Sequence, residues 1–150
     1  MNLKVRNMNK RQKTTEIIVH CSATPEGKDF SVDQIRQWHK NRGFEDIGYH
    51  YVVYRDGSVH AGRPENTVGA HCVGHNSISV GVCYIGGVDV DGNTPKDTRT
   101  AEQKTALRNL LTSLSKKYHL KKGSIHGHRD FAKKACPSFD ATNEYKSIGL

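Results

Sequence analysis

Apolar residues recur along this chain with two different periods, and each change of period marks an element boundary. From Thr15 to Ser22 the run is β-branched and apolar and closes in Ser-Ala-Thr-Pro, which predicts a buried strand opening into a loop. A period of two sets Ile17, Val19 and Cys21 on one face of that strand and Ile18 and His20 on the other. Ser31-Val32-Asp33-Gln34 is a capping box, and Val32, Ile35 and Trp38 or His39 follow at helical spacing until Gly43 stops the helix. Trp38 and His39 read as packing residues. Gly48 to Tyr54 is aromatic and β-branched, and Asp56-Gly57 is a hairpin turn into Ser58 to Ala61. Tyr49, at the start of that strand, is either an edge packing residue or a site hydroxyl.

Residues 62–76 and 86–99 carry the glycines and prolines of loops, and the first of them holds His71 and His75. Between them Ser77 to Ile85 reads as the central strand. Thr100-Ala101-Glu102-Gln103 is a second capping box, opening a helix to about Tyr118 with Leu107, Leu110, Leu111 and Leu114 toward the core. Ser124 to His126 is a short last strand. Strands interspersed with two amphipathic helices and one hairpin predict an α/β (mixed α+β) fold, a single domain with a central mixed β-sheet flanked by helices.

Composition narrows the partners more than the fold. A length of 150 residues matches one domain, and a net charge of +8 with a pI near 9.4 points to polyanions: nucleic acid, anionic membrane or anionic wall polymer. The basic residues are scattered, with no aromatic stacking platform among them, which argues against specific nucleic-acid binding. Lys4, Arg6, Lys10, Arg11 and Lys13 all precede the first acidic residue, Glu16. Residues 1–13 are therefore expected to form a mobile basic arm and residues 14–150 the folded domain. No apolar region of signal-peptide form follows the arm, and no run is long enough to cross a bilayer. Synthesis as a soluble cytoplasmic chain is the expectation. Cys21, Cys72, Cys83 and Cys136 show no CxxC spacing; Cys21 and Cys83 read as buried strand thiols and Cys72 as an uncommitted loop thiol, with a Cys21–Cys72 disulfide left open.

The densest chemistry lies in the segment His126-Gly127-His128-Arg129-Asp130-Phe131-Ala132-Lys133-Lys134-Ala135-Cys136-Pro137. Imidazole nitrogen and thiolate sulfur are donors that zinc prefers, and three protein ligands with an open fourth position make a catalytic site. His20, at the end of its strand, is a second such point. One zinc ion is expected between His20, Cys136 and either His126 or His128, and His128 is preferred because it lies in the loop beside Cys136. Zinc so held lowers the pKa of a water to roughly 7 and polarises a carbonyl. Lys134 and Tyr49 are the cation and the phenol available to stabilise a tetrahedral oxyanion. No GxGxxG or P-loop appears, so no nucleotide cofactor is expected.

Several segments extend this reading by resemblance. They are Ile18 to Thr24, Ile35 to Lys40, Gly48 to Tyr51, Arg55-Asp56-Gly57, Asn76 to Val82, and His128 through Lys134-Ala135-Cys136-Pro137-Ser138-Phe139-Asp140. In this order, from about residue 15 to 140, they resemble the zinc N-acetylmuramoyl-L-alanine amidases of the small phage lysozyme type, kin to the peptidoglycan recognition proteins. The resemblance implies a peptidoglycan recognition protein-like fold, with His20, His128 and Cys136 as zinc ligands and Tyr49 and Lys134 as catalytic helpers. It places His71 and Asn76 along the substrate groove. The implied reaction is hydrolysis of the amide between the lactyl group of N-acetylmuramic acid and L-alanine of the stem peptide.

The implied partner is bacterial peptidoglycan, met by a monomeric endolysin after another protein has permeabilised the membrane. The same resemblance offers two alternatives: a non-catalytic peptidoglycan receptor, which would lack the cysteine ligand, and a regulator binding RNA polymerase through the basic arm. Two departures stand out. Arg129 follows His128 where phage relatives can carry another histidine, and the arm before residue 14 has no firm counterpart.

Overall fold

Residues 8–150 are described by the computed structural model. The strands are β1 (Glu16–Cys21), β2 (Thr24–Pro25), β3 (Tyr51–Val53), β4 (Val59–Ala61), β5 (Ser79–Tyr84), β6 (Gly87–Val88) and β7 (Ile125–Gly127). The helices are α1 (Val32–Asn41), α2 (Ala101–Lys117) and α3 (Ala141–Glu144). Five strands form one mixed sheet in the order β4-β3-β5-β1-β7, with β5 at its centre. β1 runs parallel to β5 and β7, β5 runs parallel to β3, and the β3–β4 hairpin is antiparallel. β2 and β6 make a separate parallel pair beside the sheet.

Both capping boxes form, at Ser31 with Gln34 and at Thr100 with Gln103. Val52 and Val53, neighbours in β3, belong to different apolar clusters. Val53 packs with Leu107, Leu111 and Leu114 of α2, and Val52 with Val32 and Ile35 of α1. Since neighbouring strand residues face opposite ways, α2 covers one face of the sheet and α1 the other. The Gln103 side chain is fully buried, and its amide donates to Val53 O at 3.3 Å and Ile85 O at 3.0 Å. The start of α2 is thereby tied to the ends of β3 and β5.

Four readings are narrowed or revised. In α1 it is His39 that is buried, its Nδ1 accepting from Gly48 N–H at 2.9 Å, whereas Trp38 is 38% exposed. Cys72 is a free loop thiol as read, but a buried one, and the Cys21–Cys72 disulfide left open does not form, since all four cysteines are free thiols. The strand read from Gly48 to Tyr54 narrows to Tyr51–Val53, because Gly48 O and Tyr49 O turn to the loop, accepting from Ala70 N–H and Arg63 N–H. Of the expected arm, residues 1–7 lie outside the described residues, and residues 9–11 are bound to the domain. Asn9 O accepts from Val68 N–H at 2.8 Å, and the Arg11 guanidinium donates to Thr67 O at 3.0 Å and the Tyr118 hydroxyl at 3.1 Å. A planar guanidinium can serve acceptors from two elements at once, which holds this stretch against the body.

Candidate active site

The register of β1 and β7 pairs Val19 with Gly127. The next residues along the chain, His20 in β1 and His128 just past β7, therefore emerge side by side at the carboxyl end of parallel strands, where open α/β sheets place their sites. Their ring centroids are 4.6 Å apart. A 3₁₀ turn over His128–Asp130 then reverses the chain, and Arg129 N–H donates to Cys136 O at 2.7 Å. That brings Cys136 back against β1, where Cys21 N–H donates to its Sγ at 3.2 Å. The Sγ lies 3.8 Å from His20 Nδ1, and one donor atom from each of His20, His128 and Cys136 falls within 4.8 Å of the others. His126 is not in this group; its Nε2 lies 3.9 Å from Glu16 Oε2.

Burial sets the protonation of this cluster. His20 is held well below its ordinary pKa by burial first, then by the imidazoles of His71 and His128, and His128 is lowered by burial and by Lys134. Both are thus neutral bases with a lone pair to give. The Cys136 thiol is pushed up by the adjacent Cys21 thiol and by burial, so a thiolate there needs a cation beside it. Two neutral imidazoles and a thiol in want of a cation are a zinc donor set. Tetrahedral zinc bonds of roughly 2.0–2.3 Å place donor atoms about 3.5 Å apart, close to the 3.8 Å between His20 Nδ1 and Cys136 Sγ.

In front of the cluster is an open groove of about 240 Å³. Arg42 and Lys134 line it, and no carboxylate does. Tyr49 also lines it, its ring 5.0 Å from that of His20 and 5.4 Å from that of His39. Burial, reinforced by the nearby thiols of Cys83 and Cys136, pushes the Tyr49 phenol up, so it is a proton donor at neutral pH. His71 and Asn76 reach the groove wall, but their polar atoms serve the protein. Asn76 Oδ1 accepts from the N–H groups of His71 and Cys72 at 2.8 and 2.9 Å. His71 Nδ1 lies 2.8 Å from His20 Nε2, and its Nε2 lies 3.2 Å from Ser79 Oγ.

Three residues of this region carry no sequence signal. Arg42 is one more lysine or arginine near a helix end until the fold turns it to the groove. Ser79 is a strand residue of no distinct type. His50, also fully buried, accepts from Gly81 N–H at its Nδ1 (3.0 Å) and contacts Thr67 O through Nε2 (2.8 Å), spanning β5 and the loop after β4.

A mixed-sheet α/β domain with a His-His-Cys group at the carboxyl end of its parallel strands β1 and β7, beside an open cationic groove, has the parts of a metal-dependent hydrolase. The chain belongs to the N-acetylmuramoyl-L-alanine amidase family, whose model matches residues 10–139. It is 52% identical over 132 residues to the endolysin of Klebsiella phage KP32, an alignment spanning 87% of this chain and 85% of that one. Among solved structures it resembles the N-acetylmuramoyl-L-alanine amidase LysC of Clostridium intestinale URNW, with a TM-score of 0.77 at 28% identity over 91% of this chain and 85% of that chain. It also resembles bumblebee PGRP-SA, with a TM-score of 0.77 at 25% identity over 94% of this chain and 86% of the other.

Proposed function

We propose that His20, His128 and Cys136 hold one zinc ion and that Tyr49 and Lys134 act on the substrate amide beside it. As a member of its family the chain is a peptidoglycan hydrolase, cutting the amide between the lactyl group of N-acetylmuramic acid and L-alanine of the stem peptide, in the endolysin role of its phage relatives. The observation that carries the site assignment is convergence. Donor atoms from three distant points of the sequence meet within 4.8 Å of one another, and one of the three residues, His128, also lines a groove that bears cations and no carboxylate.

Zinc bound there supplies Lewis acidity toward the amide carbonyl and lowers the pKa of a water to roughly 7. The protein's own groups do the rest. Burial keeps His20 and His128 neutral, so neither needs to shed a proton to bind, and the Cys21 N–H supports the charge of Cys136. Tyr49, held as a phenol, donates a hydrogen bond to the carbonyl oxygen as negative charge develops on it. Lys134, exposed at the groove rim, places a positive charge beside the same oxygen and, with Arg42, draws in the carboxylate-bearing stem peptide.

All of these groups come from one chain, so a monomer suffices. Among the described residues no helix is long and apolar enough to cross a membrane. The assignment is tested by metal analysis beside a wall-lysis assay. Wild type should carry one zinc per chain, and Cys136→Ala and His20→Ala should lose both the metal and lysis. A fully lytic Cys136→Ala protein would contradict the assignment.

A further inference from the structure

The His71 ring occupies a compartment made for it. It is 8% exposed. A Cβ on Gly81 of β5 would stand 2.7 Å from the ring, and one on Gly69 would also stand 2.7 Å from it. Neither glycine has the left-handed φ that demands glycine, so the missing side chain at Gly81 is explained by the imidazole that fills its place. A residue that only faced a groove would need no such clearance.

The hydrogen bonds leave one proton arrangement along this ring. The Ser79 hydroxyl donates to His75 O at 2.7 Å, and a hydroxyl has a single proton to give. Ser79 Oγ therefore accepts from His71 Nε2–H, at 3.2 Å. His71 Nδ1 is then a bare acceptor, and the proton in the 2.8 Å contact with His20 belongs to His20 Nε2. That leaves the lone pair of His20 on Nδ1, the atom that faces Cys136 Sγ at 3.8 Å.

Resting on the zinc reading of His20, we infer that His71, oriented by Ser79, is a positioning residue that fixes the tautomer and ring direction of His20 toward the metal. Each link is buried: Ser79 is fully enclosed in β5, and His20 lies at the end of β1. A metal-bound histidine is commonly fixed through its second ring nitrogen by a carboxylate or a carbonyl. Here a neutral imidazole does so, its own tautomer set by a serine whose proton is committed to the backbone. Asn76, by capping the N–H groups of His71 and Cys72, holds the loop that carries this ring.

The test is zinc affinity of the full chain, measured by competition with a chromophoric chelator, in wild type, His71→Leu, His71→Asn and His71→Gln. The asparagine amide falls where Nδ1 stood and can still accept from His20; the glutamine amide falls where Nε2 stood and cannot. We expect His71→Leu and His71→Gln to weaken zinc binding about 10- to 100-fold, and His71→Asn to stay within about threefold of wild type. The Asn and Gln proteins suffer similar loss of ring packing, so a difference between them reports the hydrogen bond even if the leucine protein does not fold. Zinc held equally by wild type and the Gln protein would overturn the inference alone. No stoichiometric zinc in wild type would overturn the zinc reading, and this inference with it.

Discussion

His20, His128 and Cys136 are prepared for a metal by what surrounds them: burial strips protons from the imidazoles, and the Cys21 N–H waits at the sulfur. Tyr49 is prepared in the opposite sense, held as a phenol. Tyr49→Phe keeps the ring against His20 and His39 and removes only the hydroxyl, so we expect kcat to fall about 100-fold or more with zinc content unchanged, measured on soluble wall fragments. Unchanged kcat would remove Tyr49 from the chemistry. Two other histidines set an acid limit. Burial is the main cause that lowers both His39 and His50 to about 4 in the folded protein. The unfolded chain takes up a proton at each near pH 6.5, so between about 6.5 and 4 the unfolded state binds more protons. Stability is thus full above about 6.5 and falls as the pH drops toward 4. The apparent Tm, followed in chelator so that metal release adds nothing, should decline across that window; a level or rising Tm would contradict the assignment of these histidines as neutral. The three residues that converge at the candidate site, His20, His128 and Cys136, were legible in the sequence because His and Cys are chemically distinctive and stood at strand and loop ends. Ser79, His50 and the engagement of both His71 nitrogens were not, since a residue's hydrogen-bond partner 31 or 51 positions away leaves no mark on local spacing.

At the scale of elements, the site exists because β1 and β7 run parallel in a fixed register. The strands and both long helices were readable because their signals are local: alternation, capping boxes, a glycine stop. What escaped is short or held from outside. The β2–β6 pair is two residues on each strand. α3 spans four residues and is pinned by Arg99, whose guanidinium pairs with Asp97 and Glu144 and lies 3.4 Å from the centroid of the Phe139 ring. Gln103 is the element-level tie most open to test. Gln103→Ala removes the amide from Val53 O and Ile85 O and half of the α2 capping box, and we expect a loss of about 2 kcal/mol in denaturant unfolding with zinc affinity retained. A change within experimental scatter would mean that α2 is held by its leucines alone.

Across the whole molecule, the N-terminal segment and the charge matter most. Arg11 reaches Thr67 and Tyr118, and Tyr118, Tyr51 and Lys117 all converge on Glu65, so a knot closes over one end of the sheet. Deletion of residues 1–13 should therefore lower the Tm; an unchanged Tm would show that these contacts contribute nothing to stability. The net charge of +8 favours a polyanionic wall and acts over a Debye length of about 10 Å at 0.1 M salt. Lysis of whole sacculi should weaken steeply with salt while cleavage of small soluble fragments changes little; equal salt dependence would rule out charge as the means of targeting. The central claim, hydrolysis of the lactyl–alanine amide, is met most directly by mass spectrometry of the products released when the zinc-loaded protein is incubated with peptidoglycan. Peptides with a free N-terminal alanine beside intact glycan strands are expected; shortened glycan strands, or peptides cut within the stem, would contradict amidase action.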